Sequence, residues 1–322
     1  MSVLVYTENW DGKFKKLSFE LVSYASAVAK MMNTSVTALS IGKVGDDELK
    51  KLGNFGAQKI LSSDNDLLSV LDNQTYTNVI VEVAKKENAS VIIISNNNTG
   101  KALAPRLSVR LKAGVGSGVS RLPLSTTPFT VYKRAYSGNA FVHMVIKTDV
   151  RILTLAQNSF DLSETTNNAS IEKVDIAVDP ALVKTKVKDV KKQTGKILLT
   201  DADIVVSGGR GMKSPDNWGP LLELAETLGA ATACSRPVSD EGWRSHEEHT
   251  GQTGKIIAPN LYIAVGISGA TQHLAGVSSS KYIVAINSDK DAPIFEAAQY
   301  GIVGDAMKIL PQLVTAVKDL KK

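Results

Sequence analysis

Apolar residues in this chain come in short β-branched runs separated by stretches with helical spacing. Residues 3–6, 36–41, 59–61 and 90–95 read as strands, the last almost pure isoleucine and valine. Residues 17–32, 46–52, 76–86 and 102–112 repeat apolar positions three and four apart, as amphipathic helices do. Strands apolar on both sides and alternating with helices predict a mostly parallel sheet covered on both faces. The pattern changes over 129–155, rich in Thr, Val, Tyr and Phe. Ser137-Gly138-Asn139 interrupts it, a hairpin signal that predicts antiparallel strands added to the first sheet. Residues 163–179 are polar and read as loop. Residues 184–196 carry six lysines against one aspartate, KTKVKDVKKQTGK, and read as a solvated linker.

From residue 197 the alternation resumes. Residues 203–207, 230–236, 261–267 and 282–286 read as strands, and 218–228 as an amphipathic helix closed by Gly229. Further helices are expected to start at Thr271 and after Pro293, and 239–244 is expected to be loop. The fold class is therefore α/β in two domains. Residues 1–183 form a nucleotide-binding-like, mostly parallel sheet with added antiparallel strands, 184–196 a linker, and 197–322 a doubly wound domain. A chain of 322 residues gives each domain enough length for its own core.

Composition narrows the picture. The hydrophobic fraction is 43% and the charged fraction 21%, ordinary for a soluble globular chain, and no apolar run reaches the roughly 18 residues of a membrane span. The first residues carry no basic region or cleavage pattern, so the expectation is a cytoplasmic protein without a targeting segment. Cys234 is the one cysteine, which excludes an intramolecular disulfide framework. Net charge is +5, without a basic stripe interleaved with aromatics, so no nucleic-acid partner is expected.

Three motifs fail on context. Gly114-Val115-Gly116-Ser117-Gly118 follows a helix, not a strand, which argues against a dinucleotide motif. Gly251-Gln252-Thr253-Gly254-Lys255 resembles part of a phosphate loop, but the positions of its first glycine and its hydroxyl hold His249 and Ile256. His246 and His249 lack the remaining ligands of a zinc site, so no metal is expected.

Candidate chemistry gathers where strands end, the edge at which open α/β sheets bind ligands. In the first half, Asn96 to Gly100 closes a strand before a helix, where a nucleotide-binding fold would seat phosphates or where a polar turn would do. In the second half, Gly208-Gly209-Arg210-Gly211 lets backbone approach a ligand beside a planar cation, a combination suited to pyrophosphate. Ser235 and Arg236 end another strand. Ser268, Gly269 and Ala270 lead into Thr271, Gln272 and His273 at a helix start with free N–H groups. Asn287 closes the next strand. Cys234 packs as a small hydrophobe, with no base at hand to make it a nucleophile.

Seven blocks in order then carry a family resemblance: SGGRG at 207–211, CSRP at 234–237, GWR at 242–244, GQTGK at 251–255, LYIAVGISGATQHLAG at 261–276, IVAIN at 283–287 and APIFEAAQYGIVGD at 292–305. Together they resemble the α subunit of the electron-transfer flavoproteins. APRLSVRL at 104–111 is similar but less distinctive, and the resemblance spans essentially the whole chain. It implies FAD held by the C-terminal domain and a β subunit, carrying AMP or a second flavin, that completes a heterodimer. Carried over by motif, Arg210 meets the phosphate or adenine side of FAD. Ser235 and Arg236 lie by the isoalloxazine, with Thr250, Gly251, Gln252 and Thr253 toward its N5 edge. Ser268, Gly269, Ala270, Thr271, Gln272 and His273 cover pyrophosphate, ribityl and the pyrimidine end, with His273 near the C2 carbonyl. Asn287 and Asp305 hold the adenosine half. Thr271, Gln299 and Ser245 depart from the usual isoleucine, aspartate and proline.

The implied activity is electron carriage without a catalytic residue. Electrons come from flavin dehydrogenases such as acyl-CoA dehydrogenases in fatty-acid β-oxidation and pass toward a quinone reductase. Arg236 and His273 are the expected cations or donors favouring reduced flavin. The alternative is a subunit of a bifurcating, NADH-dependent complex. A nucleotide hydrolase built on the first domain is a third class, and it leaves the second domain unexplained.

Overall fold

The computed structural model describes residues 1–136, 140–165, 168–190 and 197–321, and the chain divides into two compact units, Met1–Val190 and Lys191–Lys322. The predicted hairpin tip at 137–139 and the last part of the predicted linker, 191–196, lie outside the described residues.

In the first unit β1 (Ser2–Thr7) precedes a small antiparallel pair, β2 (Asn9–Trp10) and β3 (Lys13–Phe14). Then come α1 (Lys16–Met31), β4 (Ser35–Ile41), α2 (Asp46–Gly53), β5 (Lys59–Ser63), α3 (Asn73–Lys86), β6 (Ala89–Ser95), α4 (Asn98–Leu111) and β7 (Gly114–Val119). β8 (Ser125–Thr126), β9 (Phe129–Ala135), β10 (Ala140–Val145), β11 (Arg151–Leu155) and β12 (Ser170–Lys173) follow. The main path of the sheet runs β10-β9-β7-β11-β6-β1-β4-β5-β12, parallel from β7 to β12, with β9 and β10 antiparallel as the sequence predicts. Period-two alternation explains how β1 is buried twice. Val3 and Val5 pack with Leu21, Val22 and Tyr24 of α1, while Leu4 and Tyr6 face Tyr76 and Ile80 of α3 and Leu103 of α4.

Three details differ from expectation. Residues 163–179 are not all loop, because β12 pairs parallel with β5 at the sheet edge. Its sequence, SIEK, is too short to show a period, and Lys173–Asp64 and Lys59–Glu172 ion pairs supply what apolar burial does not. Helix α4 starts four residues early because the Asn97 side chain accepts from Gly100 N at 3.0 Å and caps it. The glycines of 114–118 form β7, where a Cβ at Gly114 would lie 2.6 Å from Ile146, a packing demand that explains the glycine run.

The second unit holds β13 (Ile204–Gly208), α5 (Gly219–Leu228), β14 (Ala231–Cys234), α6 (Arg236–Asp240), β15 (Leu261–Val265), α7 (Thr271–Val277), β16 (Tyr282–Asn287), α8 (Ile294–Ala297), β17 (Tyr300–Val303) and α9 (Ala306–Leu320). All its strands are parallel, in the order β14-β13-β15-β16-β17. Val206 and Val265 pack with Leu221 of α5 and Leu310 of α9 on one face, and Val205, Tyr262 and Ala264 with Val277 of α7 and Ile294 of α8 on the other. The strand predicted over 230–236 ends at Cys234, and the following residues form the short α6 instead of only loop. Pro237 sits in its first turn, where a missing N–H costs nothing. Among the described residues no helix is long and apolar enough to cross a membrane.

The chain goes from β13 outward to β14 and then crosses back to β15, so the winding direction reverses between β13 and β15. That reversal is the switch point of a doubly wound sheet. Glycine alone fits there. Gly209 N donates to Val265 O at 2.8 Å and Gly211 N to Gly266 O at 3.0 Å, while Gly266 has φ +62° and a Cβ on it would stand 2.8 Å from Gly211 Cα. The Gly266→Ala protein is therefore expected to lose about 1–3 kcal/mol of stability. Gly242→Ala, at φ +73° with nothing within 4 Å, should lose less. Urea midpoints compare the two, and equal losses would count against the contact as the cause.

Candidate cofactor site at the carboxyl edge of the second sheet

Each strand of the second sheet delivers its carboxyl end to one edge, and the residues singled out from the sequence lie in or beside the segments leaving it. Arg210 follows β13, Ser235 and Arg236 follow β14, Ser268 through His273 follow β15, Asn287 ends β16, and Asp305 follows β17. Hydrogen bonds join these segments into one rim. Ser235 N donates to Gly208 O at 3.1 Å, Thr250 N to Cys234 O at 3.1 Å, Gln252 N to Gln272 O at 2.7 Å, and Ile294 N to Ser268 O at 3.0 Å. A Cβ on Gly276 would come 2.4 Å from Gly251 Cα, so the 250–255 loop lies on α7 backbone to backbone. Gln252 and Thr253, both exposed, are thereby brought beside Gln272 and His273.

The rim offers donors and positive charge to an anion. Among the described residues the amides of Ser268, Gly269, Ala270, Thr271 and Gln272 donate to no protein group, and no side chain caps α7. Arg210 is exposed and has no ion pair among the described residues. Arg236 is exposed too, with Nε 3.2 Å from Asp240 Oδ2. Ser235 is buried at the start of α6 without capping it.

Other residues of the set serve the fold first. Thr250 is fully buried, its hydroxyl donating to Cys234 O at 3.3 Å. Asn287 ties two loops together, donating to Ile267 O at 2.9 Å and accepting from Asp289 N at 3.0 Å. Asp305 caps α9 by accepting from Met307 N at 3.0 Å and pairs with Lys213, and these contacts hold its carboxyl below the ordinary range.

His273 is the most enclosed of the ionisable residues in the set. It is 8% exposed, its Nε2 lies 2.8 Å from the Tyr262 hydroxyl, and its Nδ1 is buried without a hydrogen-bond partner. Burial pushes its pKa down to about 4, the Thr250 carbonyl opposing this without completing a bond to Nδ1. The ring is neutral at pH 7, so of the two groups expected to act as cation or donor, Arg236 is the cation and His273 is a neutral ring.

Residues 3–179 match the electron transfer flavoprotein domain, and residues 198–278 the electron transfer flavoprotein FAD-binding domain. The chain is 37% identical to the electron transfer flavoprotein subunit alpha of Bacillus subtilis, over 99% of this chain and 98% of that one. It belongs to the electron transfer flavoprotein alpha-subunit family. A second alpha subunit, from Thermoanaerobacterium thermosaccharolyticum, is 35% identical over 99% of this chain and 98% of that protein. Lactate dehydrogenase (NAD(+),ferredoxin) subunit LctC of Acetobacterium woodii is 32% identical over 98% of this chain and 77% of its own length.

In this electron transfer flavoprotein chain, sequence reading missed Tyr262 and Lys213. Tyr262 sits inside an apolar strand run that shows no sign of a polar contact, and Lys213 reaches Asp305 across 92 positions. Cys234 packs in the core as the sequence predicts: its thiol is buried and pushed up to about 12, by desolvation first. A colorimetric thiol reagent at pH 8 should therefore find no reactive thiol in the native protein and one in denaturant. Histidine burial has a pH signature as well. The unfolded His273 takes a proton near 6.5 and the folded one only near 4, so its contribution is complete above 6.5 and lost as pH falls toward 4. Unfolding free energy should decline by about 3 kcal/mol from this source across that window, and His273→Gln should flatten the slope by about one proton.

Proposed function

We propose that the chain is the FAD-carrying subunit of a heterodimeric electron transfer flavoprotein. The observation that carries this reading is the run of unpartnered amides from Ser268 to Gln272 beside the glycine crossing, within the region matched to the FAD-binding domain. Donors without protein partners and an exposed arginine suit a pyrophosphate, so the residues present fit the cofactor. Bound there, FAD supplies one-electron redox chemistry.

The chain's own residues do the rest. Arg210 and the amides from Ser268 to Gln272 hold the pyrophosphate, and Asn287 and Asp305 shape the loops around the adenosine half. Ser235 and Arg236 face the ring system from the end of β14, the guanidinium favouring its electron-rich forms. Gln252 and Thr253 sit toward its N5 edge, with Thr250 and Gly251 fixing their loop on α7. Thr271 and His273 close the pyrimidine side, His273 as a neutral group. Residues 197–322 build this site by themselves, with 1–183 as an adenine-nucleotide hydrolase-like domain and 184–196 between them. The partner is a β subunit carrying AMP. Electrons arrive from flavin dehydrogenases such as acyl-CoA dehydrogenases of fatty-acid β-oxidation and leave toward a quinone reductase, in the cytoplasm.

A second reading is supported by the similarity to a subunit of a lactate dehydrogenase (NAD(+),ferredoxin). In it this chain would be one subunit of a bifurcating, NADH-dependent complex whose β subunit would hold a second FAD. Nucleotide analysis of the purified heterodimer separates the two. One FAD with one AMP is the expected result, and two FADs per heterodimer would select the bifurcating reading. A colourless sample that takes up no FAD would sink both.

A further inference from the structure

A phenol in the middle of a parallel strand needs an explanation. Tyr262 belongs to β15, LYIAV, whose neighbours are apolar, and it is fully buried. Burying a phenol O–H without a partner costs free energy, so the hydroxyl has to donate to something. Its hydrogen-bond partner is His273 Nε2 at 2.8 Å. Among the described residues no other group is in hydrogen-bonding geometry with it: the Thr250 hydroxyl donates to Cys234 O at 3.3 Å, and Ser207 Oγ is buried without a partner. Burial drives the phenol's pKa far up, so its proton stays in place.

We propose that Tyr262 is a positioning residue: its hydroxyl donates to Nε2 of His273 and thereby fixes the imidazole as the tautomer with its single proton on Nδ1. The inference rests on the reading that His273 lines the FAD site. The alternative tautomer, with the proton on Nε2, would turn two donors toward each other or leave the phenol hydrogen without an acceptor. The Thr250 carbonyl close by favours protonation of the ring without completing a bond to Nδ1. The other titratable groups acting here are His249, which works against a charge on His273, and Cys234, whose thiol stays protonated beside Tyr262. The imidazole is therefore held as a neutral ring of fixed orientation by a fully buried phenol. Tuning at this position comes from a set proton and not from a movable charge.

Nitrogen NMR of the heterodimer labelled with ¹⁵N-histidine tests this, His273 being assigned by the signal that His273→Gln removes. In the wild type Nδ1 should resonate at the protonated end of the range and Nε2 at the lone-pair end, unchanged between pH 8 and about 5.5. Tyr262→Phe keeps the ring packing and removes only the hydroxyl. It should pull the two shifts toward each other as the tautomers mix, and move the titration upward because the neutral form has lost its donor. A wild-type proton on Nε2, or a Tyr262→Phe protein with the wild-type shifts, would overturn the proposal. The wild-type measurement decides even if the variant fails to fold. Absorbance of the same samples reports flavin separately, so a flavin-free complex would sink the FAD reading while leaving the tautomer result intact.

Discussion

The second domain depends on two loops crossing with no side chain between them. At the end of β13 and the end of β15, Gly209, Gly211 and Gly266 approach so closely that a Cβ at Gly209 would stand 2.2 Å from Gly266 O. The two cross-loop amide bonds consume the donors of Gly209 and Gly211. The following segment, Ser268 to Gln272, is then directed along the rim with its own donors unspent. The crossing thus makes the sheet compact at its switch point and, by the same geometry, exposes a line of amides at the edge where a doubly wound sheet presents ligands. Packing and binding capacity here have one cause.

Electrostatics around that edge divides by depth. Groups that can be charged at neutral pH, Arg210 and Arg236, stand exposed, where hydration offsets their charge in the absence of a ligand. Below them Thr250, Tyr262, Cys234 and His273 are enclosed and uncharged, because burial holds the thiol and phenol protonated and the imidazole deprotonated. A charged imidazole at that depth would face a desolvation cost that the neutral ring avoids. The arrangement supplies long-range attraction from the surface and fixed, neutral hydrogen bonding from within.

What could be read beforehand was what local pattern encodes. The runs at 203–207, 261–267 and 282–286 became β13, β15 and β16 because each is apolar on both faces, and Gly229 closed α5 in the left-handed conformation that favours glycine. The strand-end residues could be placed on one edge because parallel strands share a direction. Contacts between distant positions could not be read. Nothing at Tyr262 announces His273, nothing at Lys213 announces Asp305, and β12 is visible only through its partner β5. Whether His273 is a cation or a neutral donor could not be read either, because a histidine's charge depends on burial, which its neighbours in sequence do not specify.

The first domain has a switch point of its own, between β1 and β6, yet its chemistry runs the other way. Just after β1 the carboxylate of Glu8 accepts from the Ser95 hydroxyl at 2.5 Å and from Asn97 Nδ2 at 2.8 Å, while Asn97 uses its carbonyl to cap α4. The polar groups at that edge are thus engaged with one another, and the charge among them is negative. A phosphate arriving there would displace these bonds and meet a carboxylate, whereas at the second switch point it meets unpartnered amides and an arginine. Two sheets wound on the same principle thus offer opposite welcomes to an anion. The fold supplies the edge in each, and the groups standing on it decide how it receives a negative charge.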